Sequence, residues 1–228
     1  MPTASSAVRV KVWDLPTRLF HWLLAVLVLA LAVSGELGML DLHMTLGPAA
    51  LALVLFRLIW GVVGSDTARF SQFVRGPRGV LAYLAAARRG AAHGVGHNPL
   101  GAFSVIALLA MVSLQALSGL FTTDDIATDG PLAHLMATKT VSLLSSIHRI
   151  GFKALLALIG AHLAAVAFYR LIKRDDLITP MITGEKLVPA LSAPPRLRSP
   201  WLALAALVLA AAAVWGTLAA YPPPPSAF

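Results

Sequence analysis

Five stretches of this sequence are long and apolar enough to cross a lipid bilayer, and that feature decides what the chain can fold into. They run over residues 19–37, 43–63, 100–121, 143–172 and Pro200–Ala220. A helix rises ~1.5 Å per residue, so about 20 apolar residues span a ~30 Å hydrocarbon layer. The chain as a whole is 58% hydrophobic and only 12% charged. A water-soluble domain has no means of covering that much apolar surface, so the fold class is an all-α integral membrane bundle. The fourth stretch is overlong and predicts a helix that tilts or protrudes. The fifth is almost pure Ala, Leu and Val, with Trp201 and Trp215 near its ends.

The placement of charge orients the bundle. Arg9, Lys11 and Arg18 precede the first span; Arg69, Arg75, Arg78, Arg88 and Arg89 follow the second; Lys173, Arg174, Lys186, Arg196 and Arg198 follow the fourth. The alternate connections carry Glu36, Asp41, Asp124, Asp125 and Asp129, opposed by Lys139 and Arg149. Lys and Arg accumulate on the cytoplasmic side of membrane helices, so the N-terminus is predicted inside and the tail, residues 221–228, outside. The net charge of +8 therefore reads as topology and not as a nucleic-acid surface. No cleavable signal peptide is predicted, because the first apolar run is too long for one. Residues 79–89 alternate apolar and basic positions, as a short helix lying on headgroups would. Trp13, Trp22 and Trp60 are expected in the aromatic belt at the inner face. Cysteine is absent, which excludes disulfides, thioether-linked haem and thiolate-held iron–sulfur clusters.

Ionisable residues within membrane helices are costly and point to function. His148 and His162 are fourteen residues apart in the fourth span. That spacing moves the second imidazole ~21 Å along the helix and returns it to within ~40° of the same face. His21 opens the first span on the inner side, and His43 opens the second on the outer side. By depth the four form two pairs, His21 with His162 inside and His43 with His148 outside. One histidine near a helix end is more often an interfacial, hydrogen-bonded residue than a ligand. Four at two matched depths fit two flat macrocycles, each held between neutral imidazoles. Gly35 lies fourteen residues after His21, and Gly47 and Gly151 lie one turn from His43 and His148, where a flat ring needs clearance. Arg57 lies fourteen residues after His43, at the inner depth, and suits a haem propionate or the inner headgroups. Otherwise the middles of the first four spans are read as uncharged. His93 and His97 fall in the basic loop, and His134 in the outer loop, as surface residues. Ser113, Gln115 and Ser118 suit hydrogen bonds between helices or to a quinone headgroup.

Several motifs then carry a family resemblance. The run from Val12 through Trp13, Asp14, Leu15, Pro16, Thr17, Arg18, Leu19, Phe20 and His21 to Trp22 resembles the opening of the prokaryotic cytochrome b561 family. So do His43 with Gly47, the run Arg57-Leu58-Ile59-Trp60-Gly61, the His148/His162 pair and the exit Met181-Ile182-Thr183-Gly184-Glu185-Lys186. The family is related to the b-type subunits of nickel–iron hydrogenases. The resemblance implies a four-helix haem-binding core over residues 1–186 with two b haems, ligated by His21, His43, His148 and His162. It implies a bacterial inner-membrane location. Residues 187–228, a linker and an extra C-terminal transmembrane helix, depart from the four-helix pattern.

These readings predict an electron-transfer component that links membrane quinone (ubiquinone) to a redox partner. That partner is a periplasmic cytochrome c or a dehydrogenase- or hydrogenase-like subunit, met as a homodimer or within a larger complex. The alternative the resemblance offers is superoxide oxidation coupled to quinone reduction. A positive funnel would steer that anion, whereas the outer loop is acidic. A histidine-based metal transporter ranks lower, since such a path wants carboxylates inside the spans.

Overall fold

The computed structural model describes residues 7–74, 76, 79, 81, 85, 99–126, 128–189 and 194–224. Five helices in it are long and apolar enough to cross a membrane. They are α1 (Leu15–Glu36), α2 (Leu40–Val63), α4 (Pro99–Gly119), α5 (Thr138–Leu171) and α7 (Pro200–Ala220). Two short helices lie between them, α3 (Phe70–Phe73) and α6 (Ile178–Thr183). The helix starts differ from the apolar runs for a local reason. Asp14 accepts the Thr17 N–H at 2.7 Å and caps α1 four residues before its apolar run begins. Helix α5 starts five residues early and is 34 residues long, so it outreaches its neighbours. Most of the amphipathic segment expected over 79–89, together with His93 and His97, lies outside the described residues.

Helix α2 is the hub. It packs against α1, α4 and α7, while α5 is held chiefly by α4. The fifth span therefore lies along α2, opposing it with the small side chains Ala203, Ala206 and Ala210, all buried. Small residues let membrane helices approach closely, which is how such helices gain packing energy without a hydrophobic drive. Phe20, Phe56 and Trp60 fill the space between these helices, with the Phe56 and Trp60 rings stacked at 6.1 Å.

A two-stranded ribbon closes one end of the bundle. Strand β1 (Ala7–Lys11) pairs antiparallel with β2 (Glu185–Pro189), Ala7 opposite Pro189 and Lys11 opposite Glu185. Val12 N and Trp13 N both donate to Gly184 O, Arg18 Nη1 donates to Ile182 O, and Trp22 Nε1 donates to Met181 O at 3.2 Å. Gly184 adopts φ +88°, and a Cβ there would meet Trp13 O at 2.8 Å. Two motifs about 170 residues apart in sequence thus form one structure. Thr67 Oγ1 donates to Val12 O, and Arg198 N donates to Ser65 Oγ, so the described parts of the three basic segments meet at this ribbon end.

The aromatic belt needs correction. Trp22 is exposed, but Trp13 is buried and Trp60 is 0% exposed. Trp60 Nε1 donates to Asp14 Oδ2 at 3.0 Å, so the indole is a core residue tied to the α1 cap. Asp14→Ala would remove the cap, worth about 1 kcal/mol, and leave a buried indole N–H unpaired, worth about 1–3 kcal/mol. We expect it to lower the thermal unfolding midpoint in detergent by several degrees, with Asp14→Asn retaining most of the loss. Equal midpoints for Asp14→Ala and the parent would reject the cap.

Candidate haem sites

The far end of the bundle, away from the ribbon, holds His43 and His148. Their ring centroids are 6.1 Å apart and their planes are at 88°. Two imidazoles that each bind one metal through a ring nitrogen at ~2 Å place their centroids about 6 Å apart. A carbonyl can only accept, and each ring donates Nδ1–H to one. His43 Nδ1 donates to Leu31 O at 2.9 Å, and His148 Nδ1 donates to Gln115 O at 3.0 Å. Serine hydroxyls sit beside both, Ser34 Oγ at 3.4 Å and Ser118 Oγ at 3.2 Å. The tautomer is thereby set, and each Nε2 keeps a free lone pair.

A cavity of about 470 Å³ opens around this pair, lined by Val28, Leu31, Gly35, Gly47, His43 and His148 among others. A Cβ at Gly47 would meet nothing within 4 Å, so that glycine faces open space. Gly35 makes room for His43 itself, since a Cβ there would come 3.3 Å from that ring. Gly151 is placed differently from the expectation of ring clearance. A Cβ there would meet Gln115 Oε1 at 2.5 Å, so this glycine lets α4 and α5 pack closely. Gly119, which the sequence reading passed over, does for His148 what Gly35 does for His43, with its Cβ position 3.0 Å from Cε1. Glu36, Asp124 and Arg149 stand on the same cavity's lining.

Toward the ribbon end, α1 carries His21 and α5 carries His162. Ser104 Oγ is 3.3 Å from His162 Nδ1. His21 stacks edge-on against Trp22, with centroids 5.0 Å apart, and its Nδ1 is buried with no hydrogen-bond partner. Arg57 is only 3% exposed, so it does not snorkel to headgroups. Its guanidinium lies 4.8 Å over the Phe70 ring, which crosses α2 where Gly61 has no side chain. Arg57 Nη1 is buried without a hydrogen-bond partner. A buried cation with an unspent donor at this depth fits a carboxylate brought by a ligand, as a propionate would be.

Ser34 and Ser104 escaped the sequence reading, whereas Ser118 was expected to bond between helices; all three abut a histidine of the four. Ser104 and Ser118 are themselves fourteen residues apart, a signal that was present in the sequence. Lys153 contradicts the reading of uncharged span middles. It lies in α5, five residues beyond His148, exposed on the outside of the bundle, where its aliphatic stem lets the ammonium reach toward headgroups. Ser113 donates to Leu109 O of its own helix, so it bridges nothing. His134 is exposed, as a surface residue should be.

Among the described residues no three of His, Asp and Glu converge on one point. Paired neutral imidazoles beside an open apolar cavity, with a buried unpaired guanidinium, suit a porphyrin carrying carboxylates. No curated protein matches the chain. The family model for prokaryotic cytochrome b561 matches residues 12–184, which covers all four histidines and every motif but the last two residues of the exit, and the chain belongs to that family of multi-pass, haem-b-binding membrane proteins of electron transfer.

Proposed function

We propose that the chain is a di-haem conduit that carries electrons across the bacterial inner membrane, between the quinone pool and a redox partner protein. The ribbon end, where the described parts of the basic segments meet, is assigned to the cytoplasm and the far end to the periplasm. His21 and His162 would hold the inner haem, and His43 and His148 the outer. The observation that carries this reading is the 6.1 Å separation of the His43 and His148 rings, with both Nδ1 protons held by backbone carbonyls.

Haem b, when bound, supplies a one-electron iron couple. The chain's own residues do the rest. Each histidine pair would hold its haem through two imidazole nitrogens, which suits electron passage more than oxygen binding. Gly47 leaves room at the outer cavity, and Gly35 and Gly119 leave room for the ligand rings themselves. Arg57 holds a positive charge at the inner depth. The ~21 Å rise between the two levels is shortened by the breadth of each macrocycle.

The outer cavity is lined by Glu36 and Asp124 against Arg149. That balance favours a basic protein partner, such as a periplasmic cytochrome c, over an anionic substrate such as superoxide. Residues 1–186 are read as the di-haem unit and 187–228 as the linker and added helix. The test is a pyridine hemochrome assay of fully loaded, purified protein, with two haems per chain expected. One per chain, or none, would reject the reading.

A further inference from the structure

Helix α4 supplies no ligand, yet it touches one histidine of each pair. It runs antiparallel to α5, so two of its serines, fourteen residues apart, meet the two α5 histidines in reverse order. Ser118 sits at His148 and Ser104 at His162, at 3.2 and 3.3 Å. We propose that Ser104 and Ser118 are positioning residues through which α4 sets the redox potentials of the two haems, unequally. The proposal rests on the two-haem reading above.

The inequality follows from what else each imidazole has to bond. Ser118 donates its own proton to Leu114 O at 2.6 Å, so its oxygen faces His148 as an acceptor. His148 also has Gln115 O, and His43 has Leu31 O and Ser34. Both outer rings therefore give Nδ1–H to a main-chain carbonyl, with a serine oxygen in reserve. At the inner pair, among the described residues, Ser104 Oγ is the partner of His162 Nδ1, and His21 Nδ1 is buried with none.

Holding the distal N–H of a ligating histidine makes the ring a stronger base. A stronger base favours ferric over ferrous iron and lowers the midpoint potential. The fully bonded outer pair is therefore the lower-potential site, and the sparsely bonded inner pair the higher. Electrons entering at the far end run downhill toward the ribbon end.

Redox potentiometry of Ser104→Ala and Ser118→Ala, each with its haem content measured first, tests this. Ser104→Ala removes the hydroxyl that, among the described residues, lies against His162, and is expected to raise the inner midpoint. A tenfold change in the reduction equilibrium corresponds to 59 mV for one electron. Ser118→Ala leaves Gln115 O in place and is expected to raise the outer midpoint by less. The wave moved by Ser104→Ala is expected to be the higher of the two in the parent. Ser104→Thr, which keeps the hydroxyl, should restore the parent value, as a merely space-filling role would not require. Should alanine empty a site, Ser104→Cys replaces it in the same titration, since its sulfur is only a weak acceptor. Two haems with unmoved midpoints would overturn the proposal, as would a Ser104 effect on the lower wave. One haem per chain in the parent would instead reject the reading beneath it.

Discussion

Replacing His43 with alanine is expected to halve the haem content, from two per chain to one, and to leave the remaining haem spectroscopically normal. The outer site consists of one ring from α2 and one from α5, 6.1 Å apart, and the loss of either leaves a haem with one axial nitrogen in an apolar cavity. The inner pair lies one ~21 Å helical interval away on different turns of α1 and α5, so it keeps both ligands. His148→Ala should give the same one-haem protein. The double variant should lose no more than either single one, because the two residues act as one unit and their effects do not add. His134→Ala, at an exposed position in the far-end loop, is the control and should keep both haems. A single variant that emptied both sites would show that the outer haem holds the bundle together, against two separable sites. A variant that emptied neither would remove His43 from the ligand set.

What the sequence disclosed was whatever repeats with the helix. The spans, their alternation and the four histidines are all period-bound, and each followed from counting residues. The ribbon was missed although Val8, Val10 and Val12 alternate with Arg9 and Lys11, because its partner strand is about 175 residues away and five alternating residues do not name one. Trp60 was placed at the membrane surface by residue type alone. Its burial depends on Asp14, which reaches it only once α1 and α2 are packed. Gly151 and Gly119 show the same limit. Both sit within a turn of where a ligand ring lies, but which one clears a histidine and which one clears Gln115 is decided by the rotation of α4 against α5. Ser118 was expected to bond between helices, and Ser104 was legible from it by spacing, yet a serine in a membrane helix has so many ordinary uses that spacing alone does not single it out.

Arg57→Leu is expected to lower the midpoint potential of the inner haem and leave the outer one where it is. The guanidinium is buried at the inner depth with an unspent N–H, so its charge is poorly screened. A reduced haem carries one more negative charge than an oxidised one, and a nearby cation favours that state. At ~10 Å and an effective dielectric of ~20, one unit charge contributes ~1.7 kcal/mol, or ~70 mV for a one-electron couple. Arg57→Lys should keep most of the potential, losing only the planar fork that suits a carboxylate. The leucine variant keeps an apolar contact with Phe70, so the haem content should hold and the potential can be read from loaded protein. The sign separates two influences on one site. Removing Arg57 pulls the inner midpoint down, whereas removing the Ser104 hydroxyl pushes it up, and a combined variant should lie between them. Equal inner potentials in Arg57→Leu and the parent would mean the cation acts on something other than the haem, with its bond to the Phe70 ring the remaining role.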